Sequence, residues 1–294
     1  MTGPTGHLGS VLLPLLLEDP AVERVSSVAR RPLPAHPKLS HTQADLRDAA
    51  AHHALEGVDV LFHLGFQLWR SPDAEDANLG GTRNVVAADP GRIVFASSAA
   101  VYGGWPDNPV PIGEEHEPRP NAECAYAAHK LEAERICAAG APTVVLRICA
   151  VLGPHADPLV RKASRALRRV VPAARGRRQA VQFAHEDDVV AALHRAATSG
   201  VEGTYNVATA DWLSEDEVAA VSGGRVVRLP FPLLVRGSEV AARLRLLDFG
   251  ADRAVFLNGP MALSPERAGR DWGWEPARSS AEVLRKFLSA RRGA

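Results

Sequence analysis

Cysteine is scarce: the 294 residues contain three, Cys124, Cys137 and Cys149. Three thiols cannot all pair, and their spacing is not that of a metal site, so reduced thiols in a cytoplasmic protein are the expectation, with no metal. Charge of one sign is not in excess either, with 34 basic and 34 acidic side chains. That balance argues against a general nucleic-acid binder. No apolar run reaches the ~20 residues of a membrane span. The early segment VLLPLLL is short, is interrupted by Pro14 and lacks a basic leader, so it does not read as a signal peptide. Internal repeats and low-complexity stretches are absent. What remains is 46% hydrophobic and 23% charged. That composition suits a globular chain with a sizeable core, as one large α/β domain or two lobes.

The chain opens MTGPTGHLGSVLLPLLL, with Gly3, Gly6 and Gly9 evenly spaced before an apolar helical pattern. Such a turn lets a diphosphate approach backbone N–H groups at the positive end of a helix. A strand should precede it, yet only Met1 and Thr2 stand there. Either the natural chain begins upstream of this Met, which is the favoured expectation, or the sheet lacks its first, central strand. VERVSSVA predicts a short buried strand over Arg24–Ala29. Arg30 and Arg31 follow, where an acid would suit the ribose hydroxyl of NAD. Guanidinium groups suit a 2′-phosphate, a lean to NADP over NAD; two solvated surface arginines are the plain alternative. RPLPAHPKLS reads as a surface loop, Asp45-Leu46 as a short strand, and the following helix as capped by Asp48. Buried strands are expected near Val58–Leu64, Arg92–Ala96 and Thr143–Cys149, with a helix over PDAEDANLGGTRNVVAAD. His63 falls within a strand and is expected to be a core histidine. Strand and helix alternate at short spacing, which predicts an α/β fold with a doubly wound parallel sheet. Gly3, Arg30, Asp45, Gly65 and Ser98 all fall at strand ends, on the rim where such sheets bind ligands.

AECAYAAHKLEAERICAA predicts a helix over Asn121–Ala139. Tyr126 and Lys130 lie about one turn apart on it, one above the other. A free phenol has a pKa of roughly 10, and bringing it to about 7 takes roughly 4 kcal/mol of differential interaction. A single exposed Lys cannot supply that; a dry pocket with a second positive group can. Residues 156–180 carry eight basic side chains against Asp157 alone. They form either an amphipathic helix with a solvated basic face or a site for an anionic substrate group. AVQFAHEDDVVAALHRAA returns to strand and helix. From about Ala210 the tail loses that rhythm, with helices near Ser214–Val221 and Ser279–Ala290. Residues 1–155 and 179–209 are expected to form the dinucleotide-binding domain, and 156–178 with 210–294 a smaller substrate lobe.

Taken in order, TGPTGHLG, ADL at Ala44–Leu46, DVLFHLG, NLGGTRN at Asn78–Asn84, VFASSAAVYG, YAAHK, VVLRICAVLGP, FAHEDDV at Phe183–Val189, TYNVA at Thr204–Ala208 and LSPERAGRDWGWEP cover most of the chain. The ordered set resembles the extended short-chain dehydrogenase/reductase family of the NAD-dependent epimerase/dehydratase type. The resemblance implies a Rossmann-type domain and roles by position. Gly3, Thr5, Gly6, His7, Leu8 and Gly9 match the diphosphate turn. Asp45 and Leu46 match residues beside the adenine, and Leu64 and Gly65 a wall along the cofactor, where the family more often has Ala at Gly65. Asn78 matches a cofactor-side Asn, and Cys149 a position beside the nicotinamide. Ser98 matches the hydroxyl that holds the substrate oxygen, Tyr126 the acid/base, and Lys130 the group that bonds the ribose and lowers the Tyr pKa. The implied chemistry is hydride transfer at a hydroxyl or carbonyl carbon of a small molecule, with a sugar or nucleotide-sugar as one class. Cys149 and Ala150 replace an Asn usual in nucleotide-sugar members, which weakens that class and leaves lipid-like or ketone substrates open. Ala99 and Ala100 stand where dehydratases carry an acid. Family members also dimerise through the Tyr-Lys helix and its neighbour. The contrasting reading is an impaired sensor or scaffold that keeps the fold without the chemistry.

Overall fold

The computed structural model describes residues 1–245, 247 and 250–290. Its elements follow in chain order as α1 (His7–Glu18), β1 (Val25–Ala29), β2 (Leu39–Gln43), α2 (Ala49–Leu55) and β3 (Leu61–His63). Then come α3 (Gly81–Val86), β4 (Ile93–Ser98), α4 (Ala125–Gly140), β5 (Thr143–Ile148) and β6 (Ala150–Leu152). The next five are α5 (Pro158–Ala166), β7 (Val170–Ala174), β8 (Phe183–His185), α6 (Glu186–Thr198) and β9 (Gly203–Val207). The chain continues through α7 (Glu215–Ser222), β10 (Arg225–Leu229), α8 (Phe231–Arg243), α9 (Ala251–Ala254), α10 (Glu266–Trp272) and α11 (Ser280–Ser289).

The main sheet is parallel throughout. β1 pairs with β2, and β3, β4, β5 and β9 pair in that order. Thr2 joins the two halves with parallel bridges to Val28 and His63. The Thr2 N–H donates to Phe62 O at 2.9 Å, and the Val28 N–H donates to Met1 O at 3.1 Å. The expected lack of a regular first strand holds, because none forms before α1; Met1 and Thr2 are buried in the central position and bridge the two halves instead. Side chains of the central strands alternate between two cores, as the strand period of two requires. Val94, Ala96, Val144 and Leu146 face Leu12, Leu16, Val189 and Leu193 of α1 and α6. Ile93, Phe95 and Val145 face Leu55, Val85, Ala133 and Cys137 of α2, α3 and α4. Helices thus cover both faces, which is why β4 and β5 read as unbroken apolar runs. α1 continues through Pro14 despite the lost backbone donor, anchored by buried Leu12, Leu13 and Leu16.

Several expected boundaries move. The strand assigned to Asp45-Leu46 lies instead at Leu39–Gln43, starting at the end of the supposed loop. It is a polar edge strand held by backbone pairing with β1, so it shows no hydrophobic alternation. Asp48 precedes α2, but its side chain accepts from the Asp45 N–H rather than capping the helix. The expected helix over 72–89 is helical over 74–86, widened to a π-helical turn at Asp76–Gly80 before α3. α4 begins at Ala125, because Asn121 and Cys124 form a turn whose Asn121 side chain accepts from the Gly104 N–H at 2.8 Å. The basic stretch is helical only over α5; it then enters β7, which pairs in parallel with β10. The tail therefore keeps a strand and helix, β10 and α8, that its composition concealed. A third core, with Leu152, Val171, Leu213, Val218, Leu284 and Phe287, lies under α7 and α11.

Candidate active site

At the rim of the central strands the glycine turn needs its glycines for space. Gly3 has φ +65°, and a Cβ there would meet Gly65 N at 2.7 Å. A Cβ on Gly9 would lie 2.0 Å from Gly3 O, so α1 can pack on the turn only with glycine at that position. Gly6 caps α1 with no side-chain bond, and the first turn carries no acid. The N–H groups at this helix start thus present a positive end with no built-in anion, which fits a diphosphate. Thr5 lies in the turn, where its carbonyl accepts from Arg31, and Arg30 stays exposed beside it. His7 projects from the other side. Its Nε2 bonds Glu186 Oε2 at 2.8 Å, while His155 Nδ1 bonds Glu186 Oε1 at 2.6 Å. Burial raises the Glu186 pKa, but hydrogen bonds from His7 and His155 outweigh it and bring the group down to about 2. This buried carboxylate ties the turn to the loop after β6.

Beneath the turn, Thr2 Oγ1 accepts from the Leu64 and Gly65 N–H groups at 3.1 and 2.9 Å. Its own hydrogen then points to His63 Nδ1, 2.8 Å away. His63 Nε2 donates to Thr82 Oγ1 at 3.0 Å, and Thr82 donates to Asn78 O. His63 is a neutral core histidine. Burial, helped by the Lys130 charge, pushes its pKa down to about 3. Asn78 is buried, and its side chain clamps the backbone of Gln67 in both directions, at 2.6 and 3.2 Å. Asp45 is engaged by the Arg47 guanidinium at 2.8 and 3.0 Å, which holds its carboxyl below the ordinary range. Leu46 packs against Gly65 and Gly81, where an added Cβ would press on its side chain at 2.9 and 3.0 Å. Cys149 is buried at the end of β5, and burial pushes its thiol up to about 12, so it packs as an apolar group.

The second half of the site lies where β4 ends. The Tyr126 phenol lies close enough to the Ser98 side chain to be favoured in its charged form by it, and Ser98 Oγ accepts from the Ala100 N–H at 3.2 Å. Tyr126 is partly buried, and burial pushes its pKa above the usual value. Lys130 lies one turn along α4 but does not reach the phenol. Its Nζ donates to Ala96 O at 2.6 Å and lies 3.8 Å from the centroid of the Phe66 ring, against 5.9 Å for the Tyr126 ring. Burial brings the Lys130 amine down to about 7. The resemblance gives Lys130 the role of lowering the Tyr126 pKa; the groups that lower it here are Arg253 and Ser98. A cavity of about 250 Å³ opens beside the phenol, lined by Gln67, Trp69, Glu75, Tyr126, His129 and Asp252 among others.

Sequence reasoning passed over several groups here. Phe66 packs edge-on against Tyr126, with centroids 5.9 Å apart. Arg253, from α9, lies over both Tyr126 and Trp69. Behind α4, Arg147 grips buried Glu134 at 2.7 and 3.1 Å and donates to Tyr102 Oη at 3.0 Å. Tyr102 donates to Asn206 Oδ1 at 3.0 Å. This network locks α4 to β5 and β9. A charged pair within apolar runs was the available signal for it; nothing flagged Arg253.

The family model for the NAD dependent epimerase/dehydratase family matches residues 1–208. The chain belongs to that family. Its members are enzymes, and the doubly wound fold agrees with their solved structures. The chain is similar to MoeE5, solved with UDP-glucuronic acid and NAD, at 25% identity and a TM-score of 0.73, covering 98% of this chain and 96% of that one. It is 28% identical to the uncharacterized protein y4nG of Sinorhizobium fredii, over 97% of this chain and 76% of that protein. It is also 29% identical to a 3 beta-hydroxysteroid dehydrogenase/Delta 5-->4-isomerase of Mycobacterium tuberculosis, over 55% of this chain and 49% of that protein. Among the described residues, no helix is long and apolar enough to cross a membrane, and no group of three or more His, Cys, Asp or Glu is placed to hold a metal ion.

Proposed function

We propose that this enzyme oxidises a secondary alcohol or reduces the corresponding ketone, either as its net reaction or transiently within an epimerisation. The observation that carries this reading is the placing of Tyr126 beside Ser98 at the carboxyl end of β4, on the same sheet rim as the uncapped glycine turn. The N–H groups that open α1 would hold the diphosphate, Leu64 and Gly65 would flank the cofactor, and Lys130 would hold the nicotinamide ribose. Bound there, the nicotinamide supplies the hydride acceptor or donor. Tyr126 Oη takes the alcohol proton as phenolate, or returns it to the carbonyl oxygen as phenol. Ser98 Oγ holds that oxygen as its charge changes. Residues 1–155 and 179–209 carry the cofactor in this reading, and 156–178 with 210–294 the substrate lobe.

The dinucleotide is NADP in this reading. Arg30 and Arg31 follow β1 where NAD would favour an acid, and Asp45, at the neighbouring rim position, is occupied by Arg47. Two relatives suggest substrate classes, a nucleotide-sugar through MoeE5 and a steroid through the dehydrogenase/isomerase. The subunits pair through α3 and α4. Titration with NADP and NAD, followed by turnover on an alcohol and carbonyl panel, tests the proposal. NADP should bind the tighter by tenfold or more. Tyr126→Phe should lower turnover by about 10²–10⁴ while leaving binding intact. An unchanged rate in that variant removes Tyr126 from the chemistry. Tight binding with no turnover on any substrate favours the sensor reading, which Lys130 bonded to Ala96 O also supports.

A further inference from the structure

A buried phenol that must release its proton needs a positive charge nearby, and two cations flank Tyr126. Lys130 is the one the helix spacing suggests. Its Nζ is spent on Ala96 O and enclosed by Phe66 and Phe95, 3.8 and 4.7 Å from their centroids. An amine buried this way is readily neutral. The other cation comes from α9. The guanidinium carbon of Arg253 lies 5.3 Å from the Tyr126 centroid and 5.4 Å from that of Trp69. Its Nη2 donates to Leu68 O at 2.9 Å, and its Nε lies 3.6 Å from Asp252 Oδ2. A guanidinium does not lose its proton in proteins. Within ~6 Å of a ring it is attracted to that ring, and more so once the ring carries a charge.

We propose that Arg253 is a positioning residue for Tyr126, and that its guanidinium, not the Lys130 ammonium, favours the phenolate before the dinucleotide binds. The proposal rests on Tyr126 being the acid/base. Other polar groups face the same phenol. Ser98 approaches from β4, and Cys124, His129 and Lys130 lie on or beside α4. Asp252 accompanies Arg253, and Glu75 lines the cavity. Burial is the largest influence and pushes the Tyr126 pKa up; Arg253 is the largest influence against it, ahead of Ser98, while Cys124 opposes. Asp252 divides its carboxylate between the Gly250 N–H at 3.0 Å and Arg253 Nε at 3.6 Å.

The chain has three tyrosines, which makes the phenol directly observable. Ultraviolet tyrosinate titration of the full chain, without dinucleotide or substrate, gives the Tyr126 component by difference from Tyr126→Phe. Arg253→Met and Arg253→Gln should each raise the Tyr126 pKa by about one unit or more. Arg253→Lys, which keeps the charge, should stay nearer wild type than either. Lys130→Met should move it less than Arg253→Met does. A larger shift from Lys130→Met, or no shift from either neutral Arg253 variant, overturns the proposal. If both neutral variants fail to fold, Arg253→Lys decides alone: a Tyr126 pKa within half a unit of wild type is the expected result, and a larger rise counts against it. Shifts as expected alongside full turnover in Tyr126→Phe would sink the functional reading while leaving the electrostatics of Arg253 standing. Turnover lost in Tyr126→Phe, with no shift in the Arg253 variants, would sink this inference alone.

Discussion

At the glycine turn the binding groups are main-chain atoms, fixed by Gly3 and Gly9 and by the Thr2–His63–Thr82 chain beneath them. At Tyr126 they are side chains from several segments: Ser98 from β4, Lys130 from α4, Phe66 and Trp69 from the loop after β3, and Arg253 from α9. In the proposed reading the first end needs no rearrangement, whereas at the second Lys130 would leave Ala96 O and the Phe66 ring to meet a ribose. A backbone cradle tolerates wide change in its neighbours, provided nothing adds a Cβ. A side-chain cradle depends on each contributor and on the network behind it.

That contrast breaks most sharply at Gly9. Gly9→Ala places a methyl group 2.0 Å from Gly3 O, so dinucleotide affinity should fall by 100-fold or more in a calorimetric titration. The Tyr126 titration should stay within half a unit. At the other end, Arg147→Met strips the partner from Glu134, with both side chains only 7% exposed. Leaving a buried charge unpaired costs about 3–5 kcal/mol. Denaturant unfolding should show that loss, and replacing Glu134 with Gln in the same chain should recover part of it. Dinucleotide affinity of the folded Arg147→Met protein should change less than tenfold.

The smallest effect is a pH slope beneath the turn. The folded His63 pKa of about 3 is below its ordinary value of 6.5, so the unfolded chain binds the extra proton. The contribution from neutral His63 is therefore complete above pH 6.5 and is lost as pH falls from 6.5 towards 3. His63→Gln cannot titrate. Its Tm should be lower at pH 7 but should fall less than that of wild type between pH 6.5 and 4.5. Parallel pH curves for the two proteins would place acid lability elsewhere, with Glu186 the next group to examine.

The legible parts of the chain are those where one physical rule dominates. β4 and β5 lie between two helix layers and so are apolar on both faces. The glycine spacing reports a steric demand that only glycine meets. β2 was illegible because an edge strand can be polar when its neighbour supplies the pairing. The central position was illegible because two bridging residues carry no periodicity. Helix spacing put Tyr126 and Lys130 on one face, as found, but could not show that Ala96 O and Phe66 would claim the amine. Arg253 reaches Tyr126 only through the path of the chain after α8, which no local pattern encodes.

The central claim is that Tyr126, Ser98 and Lys130 form one working set around a pyridine dinucleotide on the glycine turn. A crystal structure with oxidised NADP tests it most directly. The account predicts the diphosphate on the N–H groups that open α1, Lys130 moved from Ala96 O to the nicotinamide ribose, and the nicotinamide beside Tyr126 Oη. A dinucleotide seated on the turn with Lys130 still bonded to Ala96 O and the nicotinamide away from Tyr126, or one bound elsewhere, would contradict it.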